Sequence, residues 1–131
     1  MAFATRTLRD VATGGGTVTI LLDLDAHNAS ATALDADGLN NFANGAKLNI
    51  SRVWWGLVAS AANGGSALIE FKGASADTAA IRVAGTGYYD GPMIYNNATN
   101  TTATSADIEC VPVNATGYIC IEMKKDSGWT G

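Results

Sequence analysis

Lys47-Leu-Asn-Ile-Ser-Arg-Val-Trp-Trp-Gly-Leu-Val-Ala-Ser-Ala-Ala-Asn-Gly-Gly-Ser-Ala-Leu-Ile-Glu-Phe-Lys72 holds two of the three tryptophans, the longest apolar run and an Asn63-Gly64 pair between two strand-like segments. Asn-Gly between apolar alternations is the strongest short-range hairpin signal, because both residues tolerate the positive φ that a type I′ turn requires. Centring the turn there pairs Ala62 with Gly65, Val58 with Ile69 and Gly56 with Phe71, whose ring then covers the bare glycine backbone. The same register sends Trp54 and Val58 to one face and Trp55 and Leu57 to the other. Apolar groups on both faces predict a central strand, covered by the core on one side and by a loop or a partner on the other.

Outward from this stretch, Thr17 to Leu24 alternates Val18, Ile20, Leu22 and Leu24 against mostly polar neighbours, a half-buried strand. Residues 25 to 46 dissolve into Asp, Asn, Ala and Gly, which predicts a long connection with one short helical turn. Asp77 to Ala84 is another strand, ended by Gly85-Thr86-Gly87. Tyr88 to Pro92 predicts a turn, Met93 to Tyr95 a short strand, and the polar tract from Asn96 to Ser105 an exposed loop. Asp107 to Val113 and Gly117 to Lys124 predict a second hairpin across Asn114.

The fold class that follows is all-β: an antiparallel two-sheet β-sandwich, jelly-roll-like, spanning residues 17–131. Residues 1–16 predict an extended N-terminal arm ending in the hinge Gly14-Gly15-Gly16, which is either a frayed terminus or an ordinary first strand, or else docks on a neighbouring subunit.

Composition narrows the function. At 131 residues with 47% hydrophobic content, the chain buries a core without needing disulfides or metal. A formal net charge of −4 leaves no basic footprint for nucleic acid, and no apolar run reaches the roughly 18 residues of a membrane-spanning helix. The N-terminus lacks the order of a signal peptide, which predicts synthesis in a reducing cytoplasm and makes the Asn-x-Ser/Thr sequons by-products of composition. Alternation points Cys110 to the core and Cys120 outward, so the two are expected to remain free thiols.

Chemistry-bearing motifs fail one by one. Asp23, Asp25 and His27 share a face in an extended strand and could ligate a metal, but they sit where strand gives way to loop and solvated acids are common. Asp35-Ala-Asp37-Gly38 lacks the glycine position and the final Glu of a calcium loop. The glycine clusters lack the lysine of a phosphate loop, and the single histidine has no neighbouring nucleophile in a triad motif. Glu70, Glu109 and Glu122 all fall on strand exteriors, without the cleft that paired-carboxylate chemistry requires. No enzyme activity, metal or cofactor is therefore expected. Trp54, Trp55, Tyr88, Tyr89, Tyr95 and Trp129 could form a sugar-stacking platform; the competing reading makes the strand tryptophans core and the tyrosines edge packing.

The order Ile50-Ser-Arg-Val-Trp-Trp55, Asn63-Gly-Gly-Ser-Ala-Leu-Ile-Glu-Phe71, Gly85-Thr-Gly-Tyr88, Ile94-Tyr-Asn-Asn-Ala98 and Tyr118-Ile-Cys-Ile-Glu-Met-Lys-Lys125 resembles small virion structural proteins of tailed bacteriophages. The resemblance covers residues 47 to 125 and rests on strand pattern, with no site residue to carry over. It implies a capsid decoration, or cement, protein at the virion surface, whose partner is the major capsid protein and which stabilises the shell non-covalently as a trimer or dimer. The alternative is a carbohydrate- or receptor-binding module of a phage tail or fibre. Arg6 and Arg9 of the arm, with Trp55 and Trp129, are the expected partner interface.

Overall fold

The computed structural model describes residues 3–11, 16–25, 31–34, 39, 47–73, 77–97 and 107–126. These form nine strands: β1 (Phe3–Asp10), β2 (Thr17–Asp25), β3 (Ala31–Leu34), β4 (Leu48–Ala59), β5 (Ser66–Phe71), β6 (Thr78–Ala84), β7 (Thr86–Tyr89), β8 (Ile108–Val113) and β9 (Ala115–Lys125). One antiparallel sheet has the order β1-β2-β9-β4-β7 and the other β3-β8-β5-β6. The protein is an all-β, two-sheet sandwich. Each alternation read from the sequence places its apolar set between the sheets: Val18, Ile20, Leu22 and Leu24 of β2, Ile69 and Phe71 of β5, and Ile119, Ile121 and Met123 of β9 are all buried. Each such side chain contributes about 1.5–3 kcal/mol of burial free energy, which makes this layer the main source of stability.

The pairings nest. β5 pairs β6, β4 pairs β7, β3 pairs β8 and β2 pairs β9, so the chain is folded back on itself about the β5–β6 connection. β9 also pairs β4 and β8 pairs β5, which makes the β4–β5 and β8–β9 segments neighbours along their whole course.

Neither expected hairpin forms. β4 and β5 lie in different sheets, as do β8 and β9, so the Asn63 and Asn114 turns are corners where the chain crosses the sandwich. Asn63 has φ 62°, a positive value the sequence signal identified, and Asn114 has φ 41°, but both serve a crossing instead of a hairpin. The two corners hold each other: the Ser60 amide donates to the Asn114 carbonyl at 2.8 Å and the Gly65 amide to the Val113 carbonyl at 2.9 Å. A Cβ on Gly64 would collide with the Asn114 backbone, which explains the glycine there. Gly56 is covered by the ring of Tyr118 across β9, not by Phe71.

Residues 3–10 of the arm pair antiparallel with β2 as the edge strand of the chain's own sheet, with a bulge at Leu8. Their last residue is fixed firmly. Lys125 points inward from the end of β9, its side chain fully buried, and its Nζ lies 2.7 Å from Asp10 Oδ1 and donates to the Val11 carbonyl at 2.7 Å. Gly16 is described, and the remainder of the glycine hinge lies outside the described residues, as does most of the connection from 25 to 46. Thr86–Tyr89 is a strand, not a turn, and Ile94 makes an isolated bridge to Ile50.

Candidate interaction face

A second bulge decides which side chains face outward. Leu48 and Ile50 point into the core, and simple alternation would send Trp54 inward after them. The register instead slips between Ile50 and Arg52, where Ser51 Oγ hydrogen-bonds to the Glu122 carbonyl at 3.0 Å and the Glu122 carboxylate at 2.8 Å. Beyond the slip Val53 and Leu57 are buried and Trp55 packs against the core, its Nε1 donating to the Ala84 carbonyl at 2.9 Å. Trp54 is the outward tryptophan.

Cross-strand register then assembles a row over the outer face of the five-stranded sheet. Tyr88 lies opposite Trp54, Trp54 opposite Cys120, Cys120 opposite Leu21, and Leu21 opposite Arg6. The next row contains Gly56, Tyr118 and Asp23. Tyr88 is 70% exposed, Val58 65% and Tyr118 45%, while Trp54, Cys120 and Leu21 are half-buried by one another. A groove of about 300 Å³ opens beside the row, between Arg6, Leu21, Asp23 and Tyr118. Arg52 forms an ion pair with Asp90 at 3.2 Å and a longer one with Glu122 at 4.0 Å, closing one end of the face with balanced charge.

Of the residues assigned from sequence to a partner surface, Arg6 and Arg9 lie exposed on β1, Trp55 faces the core side of β4, and Trp129 lies outside the described residues. His27 also lies outside them; its companions Asp23 and Asp25 are exposed on β2. Trp54 belongs to the possible sugar-stacking platform read from the sequence but not to the expected partner surface, and Leu21 and Tyr118 were not singled out. The sequence signal for the outward turn of Trp54 is Ser51, a small hydroxyl residue in mid-strand that can satisfy backbone groups at a bulge, while Leu21 and Tyr118 face outward by the alternation of their own strands.

The outer face of the four-stranded sheet is charged. Glu70 lies directly opposite Glu109, and Lys72 reaches Glu109 at 3.2 Å and Asp77 at 3.9 Å. Burial, followed by the charges of Asp77 and Glu109, pushes the Glu70 pKa upward, and the hydrogen bond to Glu109 raises that of Lys72. Burial, reinforced by Glu109 and Glu70, pushes the Cys110 thiol up to about 12, and burial with Glu122 raises Cys120. Both cysteines are free and both are held as thiols, so neither is poised as a nucleophile. A cleft of about 450 Å³ lies where β1 and β3 diverge, lined by Thr5, Thr7, Thr32 and Asp107 among others. Among the described residues no group of three or more His, Cys, Asp or Glu side chains is placed to hold a metal ion.

No family model matches the chain, and neither the curated proteins nor the solved structures include a match.

Proposed function

We propose that this chain is a virion structural protein of the capsid decoration type, a non-enzymatic module that binds the major capsid protein at the particle surface and reinforces the shell. The observation that carries the reading is the aromatic and aliphatic row on the outer face of the five-stranded sheet, Tyr88, Trp54, Cys120 and Leu21 in one register line with Tyr118 beside it. A contiguous apolar strip of this kind on a sheet exterior is a protein-contact surface. The nested pairing about β5 and β6 supports a jelly-roll winding, an architecture used by capsid and lectin domains alike, so the fold is consistent with the role without selecting it. The resemblance of residues 47 to 125 to phage virion proteins supplies the setting. Purified protein added to capsids lacking it should bind saturably and raise their resistance to heat or chelation. Capsids that neither take it up nor gain stability would refute the role.

The same exposed aromatics favour a second reading. Tyr88 and Tyr118 near Asp23 offer ring faces beside a carboxylate, the composition of a sugar-stacking surface on a tail or fibre module. A specific hit on a glycan array, lost in Tyr88→Ala, would select it.

A further inference from the structure

We infer that the outer face of the five-stranded sheet docks a second copy of this chain, face to face, about a two-fold axis running along β9. The inference rests on the assembly reading above and gives this face to the second copy alone, so that the dimer meets the capsid through its other surfaces.

Four observations favour a second copy. The first is charge. Arg6, Arg9, Arg52 and Lys124 are the cations of the outer face of this sheet, on β1, β4 and β9. Among the described residues Asp23, Asp25, Asp90 and Glu122 are the acids of its strands and strand ends, so they balance the cations in a chain whose net charge is −4. Two copies of an acidic protein can approach there without the repulsion they meet elsewhere.

The second is symmetry. β9 is the middle strand of the order β1-β2-β9-β4-β7, so rotation about β9 lays β1 of one copy across from β7 of the other with all rows kept in line. In the central row Leu21 then meets Trp54 of the second copy, Arg6 meets the ring face of Tyr88, and Cys120 meets its own counterpart. In the row toward Arg52, Arg9 meets Asp90. Glu122 meets Glu122 near the axis, each already held by Ser51 and Arg52 of its own chain. The perpendicular in-plane axis would set Arg6 against Arg6 and is disfavoured by like charge.

The third is area. Five strands about 4.8 Å apart, and the nine residues of β2 at about 3.3 Å each, give a face of roughly 24 by 30 Å, or about 700 Å². That is close to the about 800 Å² each partner contributes to a standard interface. The fourth is exposure: Tyr88 at 70%, Val58 at 65% and Tyr118 at 45% are exposed large hydrophobics gathered on this one face.

The test uses the full chain. Sedimentation equilibrium should give a dimer, and a bismaleimide with a spacer of about 8 Å should link Cys120 across faces packed about 10 Å apart, since Cys110 is buried. Cys120→Ser should abolish the cross-link and keep the dimer. Leu21→Glu and, at a position too exposed to endanger folding, Tyr88→Glu should each weaken the dimer by about a hundredfold or more, while Arg82→Glu on the other sheet should leave it unchanged. A chain that stays monomeric, or a dimer indifferent to Tyr88→Glu and Leu21→Glu, overturns the inference. A monomer that still decorates capsids overturns the dimer and leaves the capsid role standing; a dimer that ignores capsids does the reverse.

Discussion

Asp10 and Lys125 join the first strand to the last, and the pair offers the sharpest prediction about stability. Lys125 is an inward residue on a strand whose other inward residues are apolar, with no exposed side-chain surface, and its ammonium is held at 2.7 Å by Asp10 and 2.7 Å by the Val11 carbonyl. Asp10→Ala removes a carboxylate held at 2.7 Å from a fully buried ammonium. Breaking a buried ion pair by deleting one member costs about 3–5 kcal/mol, a large share of the roughly 5–15 kcal/mol that holds a domain of this size together. The expected consequence is a fall in thermal midpoint of about 10–25 °C, given some 3–5 °C per kcal/mol for a chain between the small and large domain classes. Replacing both members, Asp10→Ala with Lys125→Met, removes the charge as well as its partner and should restore most of the loss. Urea unfolding followed by tryptophan fluorescence measures all three proteins. A single-variant loss below about 1 kcal/mol, or a double variant no better than the single, would refute the reasoning. The same contact implies that deleting residues 1 to 13 destabilises the body of the protein, contrary to what a loosely hinged arm would allow.

Further outcomes follow from the corners, the charged sheet and the thiols. Gly117 has φ +141° and a Cβ there would run into the Gly56 carbonyl, so Gly117→Ala should cost about 2–3 kcal/mol in urea unfolding. Glu70 has a folded pKa raised above its ordinary value of 4.5 by burial, Asp77 and Glu109. Its contribution is therefore favourable below pH 4.5 and is lost as pH rises through the folded pKa, so Glu70→Gln should raise the thermal midpoint at pH 7 and not at pH 3.5. A thiol reagent at pH 7.5 should modify Cys120 slowly and Cys110 not at all in the native protein, and both at once in denaturant, because burial holds the Cys110 thiol at about 12.

The strands were legible wherever one face is apolar and the other polar. β2, β5, β6, β8 and β9 follow directly from alternation, and the opposite facing of Cys110 and Cys120 follows with them. What alternation could not reveal was which strands share a sheet. Asn63, in the Asn-Gly pair, and Asn114 both adopt the positive φ that asparagine tolerates, but a positive φ reverses a hairpin and turns a corner equally well, and only the burial of both sheets' inner faces decides between them. The orientation of the tryptophan pair was lost at one residue. A strand's period is two only while pairing is unbroken, and the extra residue at Ser51 exchanges Trp54 for Trp55 at the surface. β1 was left open and β7 was missed for a different reason: both are edge strands with largely exposed side chains, paired on one side only, and β1 is further held by Lys125 at Asp10.

The assembly role stands or falls on where the protein sits in a particle. Quantitative mass spectrometry and cryo-electron microscopy of purified virions should find it on the capsid surface in copies on the order of hundreds, as repetition over a symmetric shell requires. Its absence from the capsid, or a handful of copies confined to the tail tip, would contradict the account.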